Sequence, residues 1–166
     1  MKELIAIPLL SLILIIQMAI TSRIPLLGGS ADLMLVVLAA WSLQERVESA
    51  WHWAIFGGLL VGWTSALPWA IPIVGYLFTV ALARILARRI WQAPLLAMFT
   101  IVFIATLLFH LISILILRLT GNPLVVMDAL SIITLPSLFL NLFLALPAFP
   151  ILRDLAVWVY SIEDDI

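Results

Sequence analysis

The chain has 166 residues, 66% of them hydrophobic and 10% charged, with a mean hydropathy of +1.29, values that exclude an ordinary water-soluble domain. A formal net charge of -1, with most lysines and arginines scattered, excludes a nucleic-acid-binding face. The lack of cysteine excludes disulfides, zinc thiolate sites, iron–sulfur clusters and thiol catalysis.

Met1-Lys2-Glu3 leads into an apolar run from Leu4 to Ile20. About 17 residues rising about 1.5 Å each reach about 26 Å, more than a signal-peptide core requires, and no small-x-small cleavage motif precedes Ser22-Arg23. The run is therefore expected to remain as a first helix. Pro25 and Gly28-Gly29 mark a turn. The next run, Leu33 to Leu43, takes Asp32 as its N-cap and is too short to span alone unless the stretch from Pro25 to Ala31 also lies at membrane depth. Gln44 to Ser49 is polar and precedes a third helix, Ala50 to Ala66, whose Trp51 and Trp53 suit a membrane interface. Pro68 and Pro72 bracket a charge-free linker, and a fourth helix from Ile73 to Leu86 runs into Arg84, Arg88 and Arg89. Pro94 opens the longest span, Leu95 to Leu119, which at about 37 Å exceeds the hydrocarbon thickness and should tilt or project. Gly121-Asn122-Pro123 is a turn signal, followed by an amphiphilic stretch around Asp128. The last span, Leu135 to about Leu152, contains Pro136, Pro147 and Pro150 and is expected to kink or break near Pro147. The tail from Ala156 to Tyr160 suits the interface, ahead of the acidic Glu163-Asp164-Asp165.

These runs predict an all-α integral membrane protein, residues 1–166 forming a single bundle of about six transmembrane helices. Cytoplasmic loops collect basic residues. With the N-terminus inside, Lys2, Arg46, Arg84, Arg88, Arg89 and Arg153 fall inside, while Arg23 and Arg118 fall outside. The split favours both termini in the cytoplasm and an even number of spans. No internal repeat or domain linker is visible.

Catalysis in the membrane requires a nucleophile with a base, or a metal site, and the histidines, His52 and His110, belong to no such motif. There is no His-Glu-x-x-His and no Gly-x-Ser-x-Gly, so a non-enzymatic chain without cofactor or metal is expected. His110 is the one ionisable side chain deep in a span: either a neutral ring packed on a neighbouring helix, or a proton or ligand site. Gly58-x-x-x-Gly62, with Ala66 one turn further, forms a stripe of small residues for close helix approach, within the bundle or to a separate subunit. The Arg84, Arg88 and Arg89 cluster fixes topology, or meets anionic headgroups or an acidic partner. Asp32 and Asp128 fall on the external side, as a cap and an interfacial charge or as contacts for a partner or ligand. Asn141 needs a partner for its amide and must face another helix.

Several segments together resemble the bacterial rod-shape-determining MreD family. They are Ala31-Asp32-Leu33-Met34-Leu35-Val36-Val37, then Gly58-Leu59-Leu60-Val61-Gly62 leading to Ser65-Ala66-Leu67-Pro68, then Gly75-Tyr76-Leu77 ahead of the basic end. Leu135-Pro136-Ser137-Leu138 to Asn141, with Ala145-Leu146-Pro147, is similar to the family's last helix. The resemblance covers about residues 30 to 150. Gly62 stands where many members have Asp, and Ala31 where they have Pro, so no role of that Asp carries over. The resemblance implies a multi-pass scaffold of the bacterial inner membrane that binds MreC and, through it, connects MreB filaments to RodA and its class B penicillin-binding transpeptidase. It also implies a fold like the S-component of energy-coupling-factor vitamin transporters. Such a substrate-binding S-component is the alternative reading, against which the few external polar groups, Arg23, Asp32, Arg118, Asn122 and Asp128, weigh.

Overall fold

A computed structural model describes residues 5–23, 28–88, 93–121 and 125–161, and these are helical with no β-strand among them. The helices are α1 (Ala6–Arg23), α2 (Leu33–Ser42), α3 (Ala50–Thr64), α4 (Ala70–Ala87) and α5 (Pro94–Leu119). The last, α6, begins as Val126–Asp128, widens into a π-helical turn over Ala129–Thr134 and continues as Leu135–Ser161. Among the described residues, three stretches are long and apolar enough to cross a membrane: Ala70–Ala87, Pro94–Leu119 and Val126–Tyr160. The α1 stretch Ala6–Ala19 and the α2 helix Leu33–Ser42 are apolar but shorter. The fold is thus that of a helical membrane protein.

The ten-residue helix α2 is the hub. Every residue from Met34 to Ser42 is buried, and the helix touches all of the other five. A helix that is apolar all round finds its place in the interior. One buried apolar cluster, with Leu10, Leu38, Trp53, Val80, Ile101 and Phe149 among its members, draws on all six helices.

Because α2 is so short, its N-terminus sits well inside the bundle, and the chain reaches it through non-helical backbone over residues 28–32. Such backbone is tolerated at membrane depth only where protein supplies its hydrogen bonds. Here α6 supplies them: Ser137 Oγ accepts the Ser30 N–H at 2.9 Å and Asn141 Oδ1 accepts the Asp32 N–H at 2.7 Å. The approach works only with glycine. A Cβ on Gly29 would lie 2.7 Å from both Pro136 Cβ and Ser137 N, and Gly28 has φ +89 and abuts Ile132.

The π-helical turn of α6 precedes Pro136, which has no N–H to donate and whose ring would crowd the carbonyl four residues back. Inserting a wider turn keeps the helix continuous, so α6 starts at Val126 instead of Leu135 and takes in Asp128. It also runs unbroken through Pro147 and Pro150 to Ser161, in place of the break expected near Pro147 and the separate interfacial tail. Pro72 lies inside α4, not in the linker, because the first turn of a helix does not use its own N–H groups. The end of α3 falls at Thr64: Ser65 is extended, its Oγ accepts the Leu67 N–H at 3.1 Å, and Pro68 disfavours helix in the residue before it.

Two side chains depart from their expected setting. Trp53 is 1% exposed and stacks on Trp41 with ring centroids 4.4 Å apart, whereas Trp51 is 41% exposed. Only Trp51 of the pair has the exposure an interfacial anchor needs. Ala66 lies beyond the end of α3 and is exposed, so the small-residue stripe consists of Gly58 and Gly62. Both press on α4 of the same chain. A Cβ on Gly58 would meet Ile73 Cα at 2.6 Å, and one on Gly62 would meet Trp69 Cα at 3.1 Å.

Candidate functional site

The N-terminus of α2 opens into a cavity of about 310 Å³ lined by residues of α1, α3, α5 and α6, together with the loops before α2 and after α3. Its polar lining comes from Gln17, Ser30, Asp32, Ser65, His110, Ser113 and Thr134, and its apolar lining includes Val61, Phe109, Ile114 and Ile133.

Asp32 is the charged group in this lining. Its carboxylate caps α2, Oδ1 accepting the Leu35 N–H at 3.0 Å. The Tyr76 hydroxyl of α4 reaches both carboxylate oxygens, at 3.0 and 3.1 Å. Tyr76 is itself fully buried, and its ring lies parallel to Phe109 of α5 at a centroid distance of 5.8 Å. The Met34 N–H, a second free donor of the first turn, goes to Gln17 Oε1 of α1 at 2.9 Å. Side chains of α1 and α4, with the Asp32 cap itself, thus hold the N-terminus of α2 in place, while α6 holds the non-helical entry to it.

Asn141 carries the network deeper. Fully buried on α6, it accepts from the Asp32 backbone and donates through Nδ2 to Thr106 Oγ1 of α5 at 3.1 Å. Its amide therefore faces helices of its own chain. His110 lies half-buried on the cavity wall, with Nδ1 3.1 Å from Thr134 Oγ1 at the end of the π-helical turn. Thr134 also donates to the Ala129 carbonyl at 3.2 Å. Asp128 is exposed and does not line the cavity, so Asp32 and Asp128 do not share a site.

The opposite end of the bundle holds Arg46, Arg84, Arg88 and Arg153. Arg84 and Arg88 border a cavity of about 510 Å³ with Glu45, Glu48 and Trp51, so the loop after α2 sets two carboxylates opposite the end of α4. Arg46 and Arg153 border a neighbouring cavity of about 280 Å³. Arg89 lies outside the described residues.

Of the residues singled out in the sequence, Asp32 and His110 line one cavity, Asn141 holds the Asp32 backbone behind it, and Gly58 and Gly62 serve the α3–α4 contact. Tyr76 entered only as part of the Gly75-Tyr76-Leu77 segment, and Thr106 and Gln17 were not singled out. The available signal was a polar side chain inside an apolar run, which applies to Gln17 and Thr106 as it does to Asn141. Comparison of the chain with protein-family models, with curated proteins and with solved structures finds no match.

Proposed function

We propose that this chain is an MreD-type, non-enzymatic subunit of a bacterial cell-elongation complex, a six-span inner-membrane protein with both termini in the cytoplasm that binds MreC. Through MreC it links MreB filaments to RodA and its class B penicillin-binding partner and favours the active arrangement of the synthase. Docking would do this by stabilising one arrangement of MreC over another. One observation carries the reading: the segments on which the resemblance rests, dispersed in sequence, converge in space. Asp32, Tyr76, Ser137 and Asn141 come from three of those segments and join in one set of hydrogen bonds around the entry to α2. Ser65 and Leu67, from a fourth, line the adjoining cavity. The test is reconstitution of glycan polymerisation with and without this chain. The reading expects synthesis to fall when the chain is omitted, and equal synthesis in its absence contradicts it.

A second reading, a substrate-binding S-component of a vitamin transporter, is favoured by the cavity itself. It gathers seven polar side chains from distant parts of the chain, more than the external loops alone supply, at the small end of the size range of ligand pockets. This reading expects the chain to travel with ATPases and a coupling subunit.

A further inference from the structure

We propose that the cavity at the N-terminus of α2 binds a primary ammonium group carried on a short apolar stem, with the Asp32 carboxylate as its counter-charge. The inference does not depend on which complex the chain serves.

The argument begins with the charge balance. Asp32 is half-buried in a largely apolar bundle, and among the described residues no lysine or arginine is paired with it. Its present partners, the Tyr76 hydroxyl and the Leu35 N–H, are neutral donors. They support an ionised carboxylate without cancelling its charge, and a carboxylate partly withdrawn from water gains from an opposite charge beside it.

The surroundings select the cation. Asp32 lines the cavity, and the oxygens of Gln17, Ser30, Ser65, Ser113 and Thr134 add acceptors around it. An ammonium has three donors and no acceptor, which suits such a lining. Hydroxyls and one carboxylate are too few anionic ligands for a divalent metal, which prefers several carboxylates. Val61, Phe109, Ile114 and Ile133 give the remainder of the cavity an apolar wall that fits a hydrocarbon stem. The volume of about 310 Å³ restricts the guest to a small molecule or one headgroup. The same chemistry is offered by a free amine or by the ethanolamine headgroup of a lipid.

The test is thermal unfolding of the purified full chain in phosphatidylcholine nanodiscs, titrated with hexylamine, hexanol or hexanoate. Hexylamine alone should raise the melting temperature. Asp32→Asn, which keeps an oxygen to cap α2, should weaken the response by more than about tenfold. Because that variant also alters the cap, Leu117→Trp provides a second arm: it fills the cavity from α5, leaves the Asp32 bonds intact and should abolish the response. In phosphatidylethanolamine nanodiscs a headgroup ligand would show as a raised starting melting temperature and no further shift with hexylamine. A free-amine ligand would leave the hexylamine shift the same in both lipids. Equal shifts with hexylamine and hexanol, a hexylamine shift that survives Leu117→Trp, or no response in either lipid would overturn the proposal.

Discussion

The side chain of Asn141 holds the backbone of Asp32 across 109 residues of sequence, its Oδ1 lying 2.7 Å from the Asp32 nitrogen. The same amide donates to Thr106, so one side chain ties α5 and α6 to the entry of the central helix. Replacing it by leucine preserves approximate volume and leaves the Asp32 N–H with no acceptor. Asn141→Leu is expected to destabilise the protein by about 1–3 kcal/mol. Thr106→Val, which removes the weaker half of the linkage, should cost about 1 kcal/mol. Urea unfolding in detergent checks both, and the double variant should cost less than the sum, because the two residues share one hydrogen bond.

Tyr76 separates packing from hydrogen bonding. Tyr76→Phe keeps the ring against Phe109 and deletes the hydroxyl that reaches both Asp32 oxygens. A loss of about 1.5–3 kcal/mol is expected, in keeping with a bond to a charged group. In an Asp32→Asn background the same substitution should cost clearly less. An equal cost in both backgrounds would show that the hydroxyl does not act through Asp32.

The contact between α3 and α4 makes a sharper steric prediction. Gly58 faces backbone, with Ile73 Cα 2.6 Å from where a Cβ would stand, and backbone cannot move aside as a side-chain tip can. Gly58→Leu should destabilise by about 3 kcal/mol or more, at or beyond the upper end of the range for overpacking. Ala66→Leu, beyond the end of α3 and exposed, should change stability by less than about 0.5 kcal/mol. Melting temperatures of the two variants in one detergent decide this directly.

The legible parts of the fold are those with local causes. Asp32 as a helix cap and Pro94 as a helix start follow from chemistry within a few residues, and both sit where that chemistry puts them. The start of α6 has a partly non-local setting: the π-helical turn lies beside Pro136 and against Gly28-Gly29, a contact across more than a hundred residues. The burial of Trp53 was illegible for a related reason. In helices that are apolar all round, no periodicity tells a lipid-facing side from a core-facing one. The candidate site was half legible. Asp32, His110 and Asn141 stand out as polar groups in apolar surroundings, but only folding reveals that Asp32 meets Tyr76, 44 residues away, and that Asn141 meets Thr106.

The absence of cysteine gives a clean background for testing the proposed orientation. Single cysteines at Ala66 and Asp128, both exposed, should react in intact cells with a thiol reagent that cannot cross membranes. Cysteines at Glu45 and Arg153, which border one cavity at the opposite end, should react only after the membrane is opened. The reverse pattern would invert the topology, and labelling of all four in intact cells would rule out a spanning bundle.

The most direct test of the proposed function is purification of a tagged copy, expressed at native level, from a mild-detergent membrane extract, with mass spectrometry of what accompanies it. The account predicts a single-pass coiled-coil protein of the MreC type together with wall-synthesis enzymes. Recovery of ABC-type ATPases with a coupling subunit, or of the tagged chain alone, would contradict it.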